Sequence, residues 1–124
     1  MLIEKTIQIF TKNEEEIIQL LTKIGIPRNG ARILVYFSER TRACSHDIEY
    51  GTGLRQPEVS IALKYLAKRG WVKSREIVSE KKGRPVKIWT LTLPWTKILD
   101  SIRNEMQQEV TTRLERVRSV WNYI

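Results

Sequence analysis

The chain has 124 residues, of which 41% are apolar and 29% are charged. This composition is typical of a folded globular domain and excludes a disordered segment. The longest unbroken apolar run covers only residues 33–37, which excludes a membrane-spanning helix as an interpretation of the sequence. The single cysteine, Cys44, excludes an internal disulfide and is typical of a protein in a reducing cytoplasm.

The net charge of +8 is concentrated in the middle of the chain. Residues 28–91 hold fourteen Lys and Arg against six acids, whereas residues 1–27 and 92–124 have net charges of −1 and +1. A local excess of positive charge is the electrostatic footprint of a protein that binds a polyanion. We therefore expect a nucleic acid as partner. A membrane surface is a much less favoured partner, because no predicted helix combines an apolar face with dense Lys and Arg.

Two helices are predicted in the first third of the chain. Residues 2–10 fit a strand and a helix equally well. A helix is predicted from Asn13, because Asn13 and Glu16 have the spacing of a capping box. Its core-facing residues are expected to be Ile17, Leu20, Leu21 and Ile24. The second predicted helix covers about 29–38, and its core-facing residues are Ile33, Leu34 and Phe37.

A short helix, a glycine-containing turn and a longer helix are predicted next, which is the order of a helix-turn-helix motif. Ser45 is expected to cap the short helix, His46–Tyr50. The longer helix is expected to begin at Pro57 and to end before Gly70, because proline favours the first helical position and glycine the end. Its buried face is predicted to be Val59, Ala62, Leu63 and Leu66. Its outer face carries Glu58, Ser60, Ile61, Lys64 and Lys68.

A β-hairpin and a long helix are predicted in the last part of the chain. The β-rich runs 71–79 and 86–92 flank a charged tip that contains turn residues. From Trp95 onward the chain has no Gly or Pro, which predicts a helix on the order of 40 Å long. A small domain cannot cover such a length, so we expect the apolar stripe to pair with a second copy. The alternative is that the helix folds back across its own domain. The residues expected at the dimer interface are Ile102, Met106, Val110, Leu114, Val117 and Trp121.

Several stretches resemble TrmB-type archaeal regulators. Residues 20–26 (LLTKIGI), followed by 31–36 (ARILVY), are similar to the opening of that family, and 53–72 (GLRQPEVSIALKYLAKRGWV) resembles its turn and recognition helix. Residues 81–92 (KKGRPVKIWTLT) resemble the wing of the broader group that includes the ArsR and MarR types. The resemblance covers roughly residues 14–124. It implies a mainly α fold with a small β-hairpin (α+β), the winged helix-turn-helix, which carries a long C-terminal dimerisation helix.

The expected organisation follows from this resemblance and from the residue patterns. Residues 1–12 form an N-terminal extension, 13–92 the DNA-binding domain and 93–124 the dimerisation helix. TrmB proteins have a large sugar-binding domain that these 124 residues do not contain, so sugar sensing is not expected. ArsR metal sensors use clusters of ligands, whereas Cys44 and His46 could supply at most half of a zinc site. We therefore expect no metal and no other cofactor.

The residues expected to contact DNA belong to the turn, the longer helix and the hairpin tip. In a winged helix the second helix of the motif enters the major groove, where Gln can pair with adenine, Glu can accept from cytosine and Ile can touch a thymine methyl. The candidates there are Arg55, Gln56, Pro57, Glu58, Ser60, Ile61 and Lys64. At the tip Gly83 allows the turn, Arg84 is expected in the minor groove, and Lys81, Lys82 and Lys87 are expected on phosphates. Ser45 and His46 are further phosphate candidates. Weaker ones are Arg28, Arg40 and Arg42.

The expected function is that of a sequence-specific, double-stranded DNA-binding transcription regulator. It would act as a homodimer in the cytoplasm, associated with the nucleoid. No catalytic arrangement of residues is present in the sequence, so enzyme activity is not expected. Two alternatives stay open at this stage: an architectural, chromatin-like DNA-binding protein with little sequence preference, and a winged helix that binds another protein. For each charged surface, a solvated face without a ligand is the alternative interpretation.

Overall fold

The computed structural model describes residues 9–78 and 83–124, and within them the chain forms five helices and three strands. The chain divides into two units, Met1–Thr92 and Leu93–Ile124. This architecture confirms the predicted mainly α fold with a small sheet. In chain order the elements are α1 (Lys12–Lys23), α2 (Arg28–Tyr36), β1 (Arg42–Cys44), α3 (Ser45–Thr52), α4 (Gln56–Lys68), β2 (Val72–Val78), β3 (Pro85–Leu91) and α5 (Trp95–Tyr123).

The core of the first unit is built by helices α1 to α4, and α4 packs against both α2 and α3. Each of the four helices contributes side chains that are almost completely buried. Burying one Leu, Ile or Val contributes about 1.5–3 kcal/mol to folding, so the position of α4 is fixed by the core. The buried side chains of these helices include Ile18, Leu21, Ile33, Leu34, Ile48, Val59, Leu63 and Leu66.

Helix α4 confirms the predicted amphipathic pattern. Its buried residues are Val59, Ala62, Leu63 and Leu66, as the apolar spacing indicates. The helix begins one residue earlier than predicted, at Gln56, so Pro57 is its second residue. The backbone N–H of Arg55 donates to Glu58 Oε1 at 3.0 Å, which satisfies a donor at the helix start. Gly70 follows the helix with φ +79°, a left-handed conformation that favours glycine.

Helix α1 differs from its prediction at its start and in its buried face. The N-cap is Thr11 rather than Asn13: Glu14 N–H donates to Thr11 Oγ1 at 3.2 Å, and Thr11 N–H donates to Glu14 Oε1 at 2.9 Å. The buried residues are Ile18 and Leu21. Of the predicted stripe, only Leu21 is buried, whereas Ile17, Leu20 and Ile24 are exposed. Two overlapping apolar faces have helical spacing in this helix, and periodicity alone does not choose between them. The ambiguous residues 2–8 lie outside the described part.

The sheet has the strand order β1-β3-β2 and is antiparallel throughout. Ser74, Trp89 and Ala43 lie opposite one another, and the buried Ala43 and Val72 place that face of the sheet against the core. Every residue of β2 after Val72 is exposed, so the outer half of the hairpin stands clear of the core. The third helix also begins differently from the prediction. Its N-cap is Cys44, whose N–H donates to Asp47 Oδ2 at 3.3 Å, and Ser45 is the first helical residue.

Helix α5 is one continuous helix of 29 residues, about 43 Å long. Ile98 and Ile102 are its buried residues. Five of the apolar side chains beyond them, at intervals of three or four residues, are 45–78% exposed. At 3.6 residues per turn Met106 lies only about 40° around the helix from Ile102, so these five form a face that continues the row begun by Ile98 and Ile102. We call this face the α5 stripe: Met106, Val110, Leu114, Val117 and Trp121. None of the helices among the described residues has the length and apolarity to cross a membrane.

Candidate nucleic-acid interface

The outermost face of α4 is cationic with an aliphatic centre. Val59, Ala62, Leu63 and Leu66 face the core, and helical geometry places Pro57, Ile61, Lys64 and Lys68 on the opposite side. All four of these side chains are exposed, and Ile61 is 70% exposed. A water-facing helix gains nothing from an aliphatic side chain at that position. The arrangement suits a groove that offers both phosphates and methyl groups.

The other residues predicted for this helix lie on its flanks. Gln56 is exposed, and one turn later Ser60 is half-buried on the same side. Glu58 lies on the other flank, where its carboxylate accepts from the N–H of Arg55 at 3.0 Å. The carboxylate is therefore already engaged in capping the helix, which leaves it less available to accept from cytosine. Arg55 itself is exposed at the N-cap position.

The two candidates in the short helix lie at its first turn. Ser45 is half-buried. His46 is exposed, and its Nδ1 lies 3.7 Å from Glu49 Oε2. His46 also lines an open depression of about 530 Å³ between the end of α2, β1 and α3. Both positions are thus at the surface of the first unit, where a backbone phosphate could reach the α3 N-terminus.

The wall of this depression is organised around Tyr36. The Arg40 guanidinium lies 4.3 Å from the centre of the Tyr36 ring and donates to the Tyr36 carbonyl at 3.3 Å. Burial raises the pKa of the Tyr36 hydroxyl, an effect that the nearby Arg40 charge partly opposes. Gly51 leaves room for the ring, because a Cβ at that position would overlap it. The depression is completed by Arg42, His46, Asp47 and Tyr50.

The tip of the hairpin is described only on its C-terminal side. Lys81 and Lys82 lie outside the described residues. Gly83 has φ +61°, which supports the prediction that the chain turns there with a glycine. Arg84 is exposed beside it, and Lys87 is exposed on β3 directly opposite Glu76. The described tip therefore presents Arg84 as its outermost cation, while the charge of Lys87 is balanced across the strand pair.

Two further cations on the hairpin were not predicted from the sequence. Lys73 and Arg75 are exposed and two residues apart in β2, so they lie on the same face of the strand. The pairing register puts Lys73 and Arg42 on either side of Thr90. The two-residue spacing within β2 is visible in the sequence. The alignment with Arg42 requires knowledge of the register.

The residues predicted for dimerisation fall into two groups. Ile102 is buried within a single copy of the chain. The α5 stripe is exposed. An aliphatic and aromatic stripe of this length on one helix is a surface that soluble monomers rarely leave uncovered. The described ranges 9–78 and 83–124 contain no group of three or more His, Cys, Asp or Glu placed to hold a metal ion.

Comparisons with known proteins identify the fold. No protein-family model matches the chain, and no curated protein matches it. Among solved structures, a possible transcriptional regulator from Methanosarcina mazei is similar, with 11% identity, a TM-score of 0.68, and coverage of 85% of this chain and 86% of that one. TrmBL2, described as an archaeal chromatin protein with a novel mode of DNA binding, is similar over 86% of this chain and 40% of its own, with 16% identity and a TM-score of 0.70.

The MarR type is also represented among the similar structures. A MarR family regulator from Silicibacter pomeroyi has 18% identity and a TM-score of 0.53, over 90% of this chain and 81% of that one. Identities this low establish the fold rather than the function. The three proteins are described as regulators or as a chromatin protein. The chain therefore has the winged helix-turn-helix fold, in which the hairpin β2–β3 is the wing.

Proposed function

We propose that this protein is a transcription regulator that binds double-stranded DNA as a homodimer. The observation that carries the proposal is the outer face of α4, where the exposed Ile61 lies among Pro57, Lys64 and Lys68. In the major groove the lysines would contact phosphates and Ile61 a thymine methyl. Gln56 and Ser60 on the flank would add hydrogen bonds to base edges. Helix α4 is held by its buried face, so these side chains are presented from a rigid support.

The wing would supply affinity rather than base selectivity. Arg84 lies exposed at the described end of the tip, next to the glycine that turns the chain. An arginine on a narrow tip suits the minor groove, whose negative potential increases where the groove is narrow. We include Lys81 and Lys82 in this proposal as phosphate contacts only because of their positive charge. Because phosphate contacts release counterions, this part of the binding should weaken steeply with salt.

The α5 stripe would join two copies. The stripe repeats every three or four residues along one side of the helix, and a second identical stripe would cover it. Ile102 is already buried within each copy, so its contribution to the proposed dimer would be indirect. A two-fold dimer presents two α4 helices, so the DNA site should be a two-fold repeat with half-sites about one helical turn apart. Domain 13–92 would bind DNA and segment 93–124 would dimerise, in the cytoplasm and at the nucleoid.

Selection of bound duplexes from a random pool tests the proposal. We expect enrichment of a two-fold motif. Arg84→Ala should weaken binding to every sequence, whereas Gln56→Ala or Ser60→Ala should reduce the preference at particular base pairs by roughly 1–3 kcal/mol. Unchanged preferences in both variants would contradict base reading by this flank of α4.

A second candidate function is supported by the similarity to TrmBL2, which is described as a chromatin protein. In that case the same basic surface would coat DNA without reading it. The selection would then enrich no motif, although binding would still weaken steeply with salt. If the chain bound no DNA at low salt, a winged helix that binds another protein would be favoured instead.

A further inference from the structure

The face of the sheet that points away from the core carries its own cluster of cations. In an antiparallel sheet, directly opposite residues share a face, and alternate residues along a strand return to it. The register assigns Ala43, Ser74 and Trp89 to the inner face and therefore assigns their neighbours to the outer one. We call this surface the outer sheet face. It consists of Arg42 and Cys44 in β1, Lys73, Arg75 and Ile77 in β2, and Val86, Ile88 and Thr90 in β3.

The outer sheet face has three positive charges and no negative one. Arg42, Lys73 and Arg75 are exposed, and no ion pair or hydrogen bond joins the side chain of any of the three to another described residue. The acid of the described hairpin, Glu76, belongs to the opposite face, where it lies across from Lys87. Three cations that have no acidic neighbour on their face repel one another, and a polyanion would relieve that repulsion.

The dimensions of this cluster match a nucleic-acid backbone. Strands lie about 4.8 Å apart and alternate residues about 7 Å apart, so Arg42 and Lys73, which flank Thr90, are about 10 Å apart across the sheet. Arg75 lies in the next row. Double-stranded DNA carries one negative charge per about 1.7 Å of its axis, so a patch of this size meets several phosphates at once. Guanidinium groups can also bind phosphate oxygens in pairs.

The cluster continues into the depression beside α3. Arg42 lines that depression together with Arg40, His46 and one acid, Asp47, so two arginines there face a single carboxylate. The basic surface therefore extends from the α3 N-terminus across β1 and β3 to β2. The continuity favours an extended anion over a small one, since the depression is open and the three cations lie along the sheet rather than around one point.

We propose that the outer sheet face binds phosphates of the DNA backbone outside the contact made by α4 and the wing tip. The inference rests on the proposed function, because it adds a second contact to the same DNA. Its contacts carry no sequence information. It lengthens the DNA segment that one protomer occupies, and it contributes to the salt dependence of binding.

A charge-matched comparison tests this inference. The test variant carries Arg42→Gln, Lys73→Gln and Arg75→Gln. The control variant removes three exposed cations of α5 that lie off the α5 stripe, with Lys97→Gln, Arg116→Gln and Arg118→Gln. Affinity for a fluorescein-labelled 40-base-pair duplex of random sequence is measured for both variants and the wild type at several salt concentrations. Circular dichroism confirms that both variants are folded.

The slope of log affinity against log salt decides the outcome. Each phosphate contact contributes about 0.9 to the slope, so the test variant should lose roughly 2–3 from its slope and the control less than one. Equal losses in both variants would overturn the inference, because bulk charge alone would explain them. An unchanged slope in the test variant would also overturn it and would point to an acidic protein as the occupant. Failure of the wild type to bind the duplex would instead refute the proposed function itself.

Discussion

Helices α4 and α5 are both amphipathic, but they differ in what they leave exposed. In α4 every apolar residue of the predicted stripe is buried, and the outer face is basic. In α5 only Ile98 and Ile102 are buried, and the α5 stripe stays exposed. The first pattern predicts a polyanion as ligand, and the second predicts an apolar helix. Amphipathicity alone therefore does not identify an interface. The decisive observation is which face of the helix is already buried in the core.

The largest expected effect concerns the α5 stripe. We expect Leu114→Glu combined with Val117→Glu to convert dimers into monomers, because each apolar side chain contributes about 1.5–3 kcal/mol when fully buried. Two changes thus remove about 3–6 kcal/mol, and burial of the added charges would be costly as well. Sedimentation equilibrium measures the mass. Thr111→Glu with Asn122→Glu adds the same charge off the stripe and should leave dimers intact. A monomeric wild type would contradict the dimer.

The second effect compares matched leucines in the two helices. Leu66 in α4 is 0% exposed and Leu114 in α5 is 62% exposed. Leu66→Ala should lower the free energy of unfolding by about 2–5 kcal/mol, the range for large-to-small changes in a core. Leu114→Ala, measured at concentrations that favour monomers, should change it by less than about 0.5 kcal/mol. Urea denaturation gives both values. Similar losses in the two variants would mean that Leu114 is buried within one copy.

A smaller effect distinguishes two exposed aliphatic residues. Ile61 in α4 and Val110 in α5 are both exposed, so replacing either with Ala should leave the stability of the monomer nearly unchanged. Ile61→Ala should reduce the preference for one A·T base pair by about 1 kcal/mol, the low end of a base contact. Val110→Ala should weaken dimerisation and leave that preference intact. Binding to a panel of single-base-pair variants separates the two. If Ile61→Ala and the wild type showed the same base-pair preferences, Ile61 would not contribute to base recognition.

The smallest effect concerns the start of α4. Glu58→Ala removes the acceptor of the Arg55 N–H bond and should cost roughly 0.5–1 kcal/mol of stability, near the low end of the range for helix caps. Glu58→Gln keeps an acceptor oxygen and should cost less. If both variants keep wild-type base preferences, Glu58 acts in capping. If Glu58→Gln retains stability but loses preference at a C·G pair, Glu58 reads cytosine as well.

The fold was largely predictable where local signals agreed. In α4 the proline, the apolar spacing and Gly70 all indicate the same helix, and its buried residues were correct. In α1 the adjacent pairs Ile17–Ile18 and Leu20–Leu21 allow two buried faces, and only tertiary packing selects the one with Ile18. The caps of α1 and α3 were also misplaced. The observed N-caps are Thr11 and Cys44, whereas the sequence pattern predicted Asn13 and Ser45. Several polar residues near the start of each helix could serve as caps.

The candidate site was predictable only in part. Ile61 and Lys64 follow from the helical period once the core face of α4 is known. Lys73 and Arg75 were missed, because their significance depends on strand register and on Arg42 from a distant part of the sequence. The apolar residues of α5 were read as one stripe. Ile98 and Ile102 belong to that same row, and only the structure shows that a single copy buries these two and leaves the α5 stripe exposed.

The exposed outer half of the wing has a consequence for the kinetics of local opening. Residues 76–78 and 85–87 have few buried contacts, so breaking their cross-strand hydrogen bonds requires little of the free energy that unfolding of the core requires. Amide hydrogens there should exchange with solvent through brief local separations of the two strands. Amides near Leu63 and Leu66 should exchange only when the whole first unit unfolds. Occupancy of the wing by a ligand should then slow exchange most in the strand ends and least in α4, whose protection is already set by the core.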